Sequence, residues 1–340
     1  MSALLARSDF LRAPVLATAR PAGFKEWQHF VIHGLGVRVL INFSLNNELL
    51  AGDEVRLAPR VIVIAHDETW TGAIERFDGR ALNVSADLGE LTIGGNRMTI
   101  VPDGYRVAID LPDNGIRGEL HFISASRPFV VRNEPAGEGR VSWLFVPRLR
   151  ADGWLRIGGR EHRFEDDLAY HDHNWGRFRW GDDFGWTWGT ILPASPGDPW
   201  SMVSVHITDR RRQRSLSRSL YVWHHDEPAA IFRHAAVQAR THNLLDRAAD
   251  CVLPPPMRLL LDGEVPGVPE RIEITATRAG DKVHAEFRSR SYARLAQPSE
   301  VHLNRSTVLC EADGAVRASG TVNGEDFDFV GTGVFEFLHG

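Results

Sequence analysis

Residues 106–124 read RVAIDLPDNGIRGELHFIS and show the pattern from which we predict the fold. Apolar and polar side chains alternate over Arg106–Leu111 and again over Gly118–Ile123, and the turn residues Pro112–Gly115 separate the two runs. Such alternation on both sides of a turn is typical of antiparallel strands. Similar short runs recur at Val37–Phe43, Val61–Ala65, Val141–Val146, Glu270–Thr277, Val283–Ser289 and Val316–Val322. The pattern predicts a mostly antiparallel all-β fold, built as barrels or sandwiches.

The length of 340 residues and the number of strand-like runs favour two β units in tandem. We place the first unit at residues 20–225 and the second at residues 226–340, with Gly331–Phe337 as a closing strand. Few segments have a helical period. Ala229–Cys251 is the best helix candidate, and Leu4–Thr18 is predicted to include a short helix. The run Pro254–Pro256 is predicted to be a loop early in the second unit.

Composition excludes several classes of protein. Hydrophobic residues make up 43% and charged residues 24% of the chain, as in soluble globular proteins. A formal net charge of −5 argues against nucleic acid as a partner, because phosphate binding needs clustered positive charge. Two cysteines, Cys251 and Cys310, do not form a disulfide framework, which fits a reducing compartment. No segment is long enough for a transmembrane helix, so we expect a cytoplasmic protein with at most peripheral membrane contact.

The segment Tyr170–Gly176 reads YHDHNWG and holds a phenol, a carboxylate, two imidazoles, an amide and an indole. Burying so many polar groups is costly unless each finds a partner, so packing alone does not account for the segment. If the segment is extended, successive side chains point to opposite faces. One face then carries Tyr170, Asp172 and Asn174, and the other carries His171, His173 and Trp175.

We predict a proton-transfer site on the first of these faces. A carboxylic acid in an apolar pocket can stay protonated near neutral pH and can then protonate an alkene. Asp172 is the candidate acid, and Tyr170 is its hydrogen-bond partner or relay. Trp186 and Trp188 form a same-face pair that is suited to line an apolar tunnel and to stabilise a developing cation.

Other interpretations of the motif stay open. If His171 and His173 line the cavity instead, an imidazolium takes over the role of the acid. The same two imidazoles are spaced to bind one metal ion, but no third ligand appears at a recognisable spacing, so we expect none. The motif can also be a satisfied structural network. Asn174–Gly176 is predicted to form a turn, with Gly176 supplying unusual dihedral angles.

A second polar and aromatic cluster, Glu26–Phe30, lies near the N-terminus. At strand spacing Trp27 and His29 share one face, and Glu26 lies on the other with Gln28 and Phe30. If this strand pairs near the motif strand, it brings Glu26 or His29 to the pocket. The predicted substrate-contacting residues are Glu26, Trp27, His29, Trp143, Asn174, Trp175, Trp186 and Trp188.

The motif Tyr170–Gly176, followed by Gly185–Trp188, resembles the lipocalin-like carotenoid 1,2-hydratase (hydroxyneurosporene synthase) and AttH-like group. The resemblance extends from about Phe24 to Phe337. It implies two tandem lipocalin-like antiparallel β-barrel units with few short helices. It also implies a hydrophobic isoprenoid or polyene substrate, no cofactor, and hydration of a terminal double bond by protonation and water capture. Relatives with this fold are pericyclases that catalyse Diels–Alder cyclisations.

The Tyr-x-Asp element of that family corresponds to Tyr170 and Asp172. The hydratases also have His and Trp on a preceding strand, where this chain offers Trp143 and no His. Another terpenoid or a polyketide is therefore an alternative substrate. Three functions remain under consideration: an acid-catalysed lyase or cyclase acting on a C=C bond, a Diels–Alderase-type pericyclase, and a non-catalytic carrier of an apolar metabolite.

Overall fold

A computed structural model describes residues 9–12, 23–49, 55–245, 250–253, 267–302 and 305–339. The described residues form an all-β structure, which confirms the fold class predicted from the alternating runs. The chain divides into two compact units. Unit 1 comprises residues up to Pro135 together with Gly139–Phe178, and unit 2 comprises Ala136–Glu138 and Arg179–Gly340.

Unit 1 is built on a 12-stranded antiparallel sheet. Its strands are β1 (Phe24–Gly34), β2 (Val37–Leu49), β3 (Val55–His66), β4 (Trp70–Arg76), β5 (Leu82–Val84), β6 (Glu90–Ile93), β7 (Asn96–Val101), β8 (Gly104–Leu111), β9 (Ile116–Ser124), β10 (Phe129–Ala136), β11 (Gly139–Ile157) and β12 (Arg160–Arg177). The 3₁₀ turns Gly79–Ala81 and Pro112–Asn114 interrupt them.

The strand order of this sheet is β4-β3-β2-β1-β12-β11-β9-β8-β7-β6-β5, and β10 pairs with β11. One apolar core contains residues from both ends of that order, such as Val63 and Ala73 at one end and Leu91 and Met98 at the other. The sheet therefore curves round its own core. The motif strand β12 lies in the middle of the order, between β1 and β11.

Unit 2 contains a 10-stranded sheet. Its strands are β13 (Phe184–Pro193), β14 (Trp200–Asp209), β15 (Ser215–His224), β16 (Glu227–Arg233), β17 (Val237–Leu244), β18 (Asp250–Leu253), β19 (Pro269–Arg278), β20 (Asp281–Pro298), β21 (Ser306–Val322) and β22 (Glu325–His339). The 3₁₀ turn His234–Ala236 lies between β16 and β17. The order is β16-β15-β14-β13-β22-β21-β20-β19-β17, and β18 pairs with β20 in parallel. A second apolar core, which includes Phe287 and Phe335, fills this unit.

The helix predicted over Ala229–Cys251 is wrong. That region holds β16, the turn His234–Ala236 and β17. Its alanine content suits a helix, but β17 pairs along its length with β19. Val237 is buried in the core of unit 2, and Ala239 packs against the same core. Tertiary pairing therefore outweighs local propensity here.

The turn predicted at Asn174–Gly176 is also wrong, because these residues continue β12 and pair with β1. Gly176 has a different reason to be glycine. A Cβ atom at that position would lie 2.2 Å from the backbone oxygen of Arg140 on β11. The missing side chain therefore allows the neighbouring strand to approach closely.

The boundary between the units differs from the one predicted at residue 225. Strands β13–β15 belong to the sheet of unit 2, because β13 pairs with the last strand, β22.

Of the segment Leu4–Thr18, only residues 9–12 are described, and they are not helical. Pro254–Pro256 lies outside the described residues. In the parts of the chain that the structure describes, we find no helix with the length and apolar character needed to cross a membrane.

Candidate active site

The motif strand places Asp172 in a row across three strands of unit 1. Asp172 is directly opposite His29 on β1 and opposite Phe145 on β11. Residues opposed in this way project from the same face of an antiparallel sheet. All three side chains are buried, and Asp172 is only 5% exposed. A carboxyl group, an imidazole and a phenyl ring therefore lie side by side on one face.

Neighbouring rows extend this face in both directions. In one row Asn174 is opposite Trp27 and Trp143, and in the other Tyr170 is opposite Val31. We call this surface the Asp172 face, and its members are Trp27, His29, Trp143, Phe145, Tyr170, Asp172 and Asn174. It points away from the core of unit 1, because core residues such as Phe30 and Ala169 occupy the alternate positions.

Two polar groups of the Asp172 face are in direct contact. The side-chain amide of Asn174 donates a hydrogen bond to Oδ1 of Asp172. That contact leaves Oδ2 as the carboxyl oxygen not engaged by this amide. Burial, with a smaller contribution from the neighbouring His171, lowers the pKa of His29 to about 3. His29 is therefore a neutral imidazole beside the Asp172 carboxyl group over the physiological pH range.

The alternate residues of the motif face the core of unit 1. His171, His173 and Trp175 lie there, opposite Phe30, Gln28 and Glu26 of β1 respectively. The ring of His171 stacks on Phe30 with centroids 4.3 Å apart. Four predicted site residues, His171, His173, Trp175 and Glu26, are thus separated from Asp172 by the thickness of the sheet.

An acidic side chain from outside the sheet joins the two histidines. Asp9, which is fully buried, places Oδ1 2.6 Å from Nδ1 of His173 and Oδ2 3.0 Å from Nε2 of His171. The hydroxyl of Tyr105 donates to Oδ2 of Asp9 over 2.8 Å. Nε2 of His173 lies 2.8 Å from Oε1 of Glu26. Both ring nitrogens of His173 therefore face carboxylate oxygens.

This geometry favours the imidazolium form of His173. Burial disfavours the charge, but the carboxylates of Asp9 and Glu26 outweigh burial and raise the pKa of His173 to about 9. In turn His171 and His173 outweigh the effect of burial on Asp9 and hold the pKa of that carboxyl group well below its usual range. The core side of the motif is thus a hydrogen-bonded network of charged and neutral groups.

Two further side chains complete the core side. The guanidinium of Arg12 lies over the ring of Trp175, 4.5 Å from its centroid. The amide of Gln28 is fully buried, and neither its nitrogen nor its oxygen has a hydrogen-bond partner among the described residues. No cluster of three or more His, Cys, Asp or Glu side chains within the described ranges is arranged to hold a metal ion.

The predicted tryptophan pair lies in unit 2. Trp186 and Trp188 are buried on β13, opposite Leu338 and Glu336 of β22. They occupy the face of that sheet opposite to its core, because Phe335 and Phe337 at the alternate positions of β22 are core residues. The indoles therefore share a face, as their spacing predicts, and they lie on a different sheet from Asp172.

Several residues at these sites escape prediction from sequence. Asp9 and Tyr105 are far from the motif along the chain, and nothing around them signals their contact with it. Phe145 is one of two aromatic residues in the apolar run Val141–Val146, and nothing in the run marks it as a site residue. Its position opposite Asp172 depends on the register between β11 and β12. That register shifts at a bulge between Val146 and Leu149, and the sequence does not indicate a bulge at this point.

The fold, with two mostly antiparallel β-sheets in tandem, is that of the AttH-like, lipocalin-type proteins. A crystallised AttH-like protein from Nitrosomonas europaea matches 93% of this chain and 92% of its own, with a TM-score of 0.62 and 12% identity. Kievitone hydratase from Nectria haematococca matches over 93% and 89% of the two chains, with a TM-score of 0.59 and 12% identity.

A third solved structure with the same fold is CghA with Sch210972. It matches over 93% and 88% of the two chains, with a TM-score of 0.62 and 13% identity. At such low identities these likenesses establish the fold alone. No model of a protein family matches the sequence, and no curated protein matches it.

Proposed function

We propose that this protein is a cofactor-independent enzyme that protonates a C=C bond of a hydrophobic isoprenoid or polyene, leading to hydration or cyclisation. The observation that carries the proposal is the buried Asp172 carboxyl group, set among aromatic rings and fixed by the Asn174 amide. An acid in such surroundings is suited to an alkene, because an apolar substrate packs against the rings and water is largely excluded.

The reaction needs one group that donates a proton and surroundings that tolerate a cation. The O–H bond of the Asp172 carboxylic acid breaks as a C–H bond forms at an alkene carbon, which leaves a carboxylate and a carbocation. The rings of Trp27, Trp143 and Phe145 on the same face offer π-density to that cation. Water then captures the cation and loses its surplus proton to the Asp172 carboxylate. In a cyclisation a second double bond captures the cation instead, and the new, cyclised cation loses a proton from carbon to the same carboxylate.

The remaining groups of the face have supporting roles in this proposal. Asn174 orients the carboxyl group, so that Oδ2 carries the transferred proton. His29 stays neutral and so adds no positive charge beside the carbocation. Tyr170, one row away from Asp172, is the candidate partner for a captured water or for a polar end of the substrate. His171 and His173 support the strand from its other side.

The test uses the full chain with lycopene, geranylgeraniol and a linear conjugated polyene as probes, in water enriched in ¹⁸O. Hydration adds 18 mass units, or 20 when the oxygen is labelled, whereas cyclisation changes retention without changing mass. We expect Asp172→Asn to lower kcat by roughly 10²–10⁴-fold, the usual contribution of a general acid, while the probe still binds. Asp166→Asn is the matched control, because Asp166 is an exposed residue of the same strand.

Each alternative function gives a different result in the same assay. If Asp172→Asn only slows a cyclisation and loss of an aromatic ring costs as much, the reaction is pericyclic and depends on shape. If every probe is recovered unchanged although it binds tightly, the protein is a carrier. Equal turnover by wild type and Asp172→Asn would remove Asp172 from the role of acid.

A further inference from the structure

Unit 2 has a cavity of about 560 Å³ that the proposed function does not use. It lies between the start of β15, the turn His234–Ala236 and β17. Strand β17 is at one end of the strand order of this sheet, and β15 lies beside the strand at the other end, β16. The volume is in the range of sites that bind small organic molecules.

The lining of this cavity is basic and polar. Arg218, Arg240 and His234 are its basic side chains, and Ser215 and Gln238 add polar groups. No Asp or Glu is among the described residues that line it. A concave surface that carries charge of one sign concentrates the field, so this cavity favours an anion.

The guanidinium of Arg218 is held in place by neutral acceptors. Its Nε donates to Oγ of Ser215 over 2.9 Å, and its Nη1 donates to the carbonyl oxygen of Val237 over 3.4 Å. Nη2 of Arg218 has no hydrogen-bond partner among the described residues, and none of their carboxylates pairs with it. The side chain is therefore oriented at the cavity while part of its donor capacity stays unused.

Arg240 also keeps its charge unpaired with respect to the part of the chain that the structure describes. Glu273 on β19 is directly opposite Arg240, but its carboxylate lies 3.1 Å from Nε2 of His242 and 3.3 Å from Nη1 of Arg271. The carboxyl group closest in the strand pairing is thus engaged elsewhere.

A third arginine adds positive charge next to the cavity. Residues 210–214 read RRRQR and form the turn between β14 and β15. Arg212 folds back from this turn and donates to Oγ1 of Thr187 over 2.5 Å. It also donates to the carbonyl oxygens of Trp186 and Leu338 over 3.0 and 3.2 Å. These acceptors are all neutral, so the charge of Arg212 is not compensated by them.

His206 shows that Arg212 and Arg218 act on the same small region. Its Nε2 lies 3.1 Å from Oγ of Ser215, the oxygen that Arg218 also contacts. Burial, and then the positive charges of Arg218 and Arg212, lower the pKa of His206 to about 4. A negative charge at Arg218 would offset that repulsion.

We propose that this cavity binds a small anion, whose phosphate or carboxylate oxygens contact Arg218 and Arg240. A guanidinium donates two parallel N–H groups to the oxygens of either group, which gives the contact its geometry as well as its charge. Gln238 and His234 offer polar contacts to the rest of the ligand. The site uses residues of unit 2 alone and does not depend on the proposed function.

The experiment is calorimetric titration of the full chain with inorganic phosphate, glycerol 3-phosphate and succinate, in about 0.1 M NaCl to screen weak surface attraction. We expect at least one probe to bind with a Kd of about 1 mM or lower. The tightest of the three tells free phosphate, a phosphate ester and a carboxylate apart.

Three variants locate the binding. Arg218→Gln should weaken it by roughly tenfold or more, and Arg240→Gln should weaken it in the same direction, because each removes a charged donor. Arg211→Gln is the matched control, since Arg211 is exposed, lies on the neighbouring turn and does not line the cavity. It should change Kd by less than about twofold.

The titration of His206, followed by NMR and assigned with His206→Gln, gives a second readout. A saturating anion should raise the pKa of His206 from about 4 in the wild type, but not in Arg218→Gln. Binding of none of the probes with a Kd below about 10 mM would overturn the inference. Equal weakening by Arg218→Gln and Arg211→Gln would also overturn it, because the attraction would then be that of a charged surface. Either result leaves the role proposed for Asp172 untouched.

Discussion

The backbone carbonyl oxygen of His29 lies 3.0 Å from Nδ1 of His171, although the two side chains occupy opposite faces of the sheet. The strand that carries His29 on the Asp172 face therefore also fixes the ring of a histidine on the core face. His171 in turn contributes to the lowered pKa of His29. The two faces of the motif are thus coupled electrostatically. We expect a substitution of His171 on the core face to change the pKa of His29 on the Asp172 face.

We expect Asn174→Ala to lower kcat by roughly tenfold or more while KM for the probe stays within twofold. The Asn174 amide donates a hydrogen bond to Oδ1 of Asp172, so loss of the amide frees the carboxyl group to rotate. The Asp172 side chain itself is still present to contact the substrate, so the substitution should affect kcat rather than KM. Steady-state kinetics of wild type, Asn174→Ala and Asn174→Gln measure the effect. A rise in KM with unchanged kcat would mean that Asn174 binds the substrate instead.

His29 should make the folded state less stable in acid. Its pKa is about 3 in the folded state and about 6.5 when exposed, so the unfolded chain binds the proton first as the pH falls. Between about pH 6.5 and pH 3, His29 therefore lowers the free energy of unfolding by about 1.4 kcal/mol per pH unit. Urea unfolding of His29→Gln at several pH values should show a shallower acid slope than wild type by this amount. Identical slopes would show that His29 takes up a proton in the folded protein.

His173 should have the opposite effect on the alkaline side. Its pKa is raised from 6.5 to about 9, so its stabilising contribution is complete below pH 6.5 and is lost as the pH rises through 9. We expect His173→Gln to be destabilised on the order of 3 kcal/mol at pH 6, with the difference from wild type shrinking towards pH 9. Urea unfolding measured every half unit between pH 6 and pH 9.5 checks this. A difference that does not change with pH would contradict the imidazolium assignment.

Loss of the Tyr105 hydroxyl should destabilise unit 1. Tyr105→Phe removes a buried hydrogen bond of 2.8 Å to Asp9, and we expect a loss of roughly 1–3 kcal/mol. The same substitution in an Asp9→Asn background should cost less, because the charged acceptor is already gone. A double-mutant cycle from thermal or urea unfolding gives the coupling energy. Equal costs in the two backgrounds would mean that the hydroxyl is stabilised by another group.

The sequence predicts part of this architecture because strand periodicity is a local property. Alternation over Tyr170–Trp175 correctly assigns each side chain to one of two faces, since successive side chains of any strand point in opposite directions. The same two-residue period places Trp186 and Trp188 on one face of their strand, and it places Trp27 and Glu26 on opposite faces of theirs. The all-β class follows from the same alternation repeated along the chain.

What the sequence does not predict depends on partners that are distant along the chain. Whether Asp172 or His173 faces the core of unit 1 is decided by which face the sheet curves towards, and no single strand carries that information. The opposition of Glu311 and Glu336 depends on the register of β21 against β22. The wrong helix over Ala229–Cys251 has a similar cause, because β19 and the core determine the conformation of β17.

The position of Asp9 has a consequence for the order in which the chain assembles. Its partners His171 and His173 follow it by 162 and 164 residues along the chain. Its hydrogen bonds to them form only when β12 has been made, and contacts so distant along the chain are slow to form. Until then the Asp9 carboxylate has no imidazole partner, so residues 9–12 are among the last described parts of unit 1 to reach their native position.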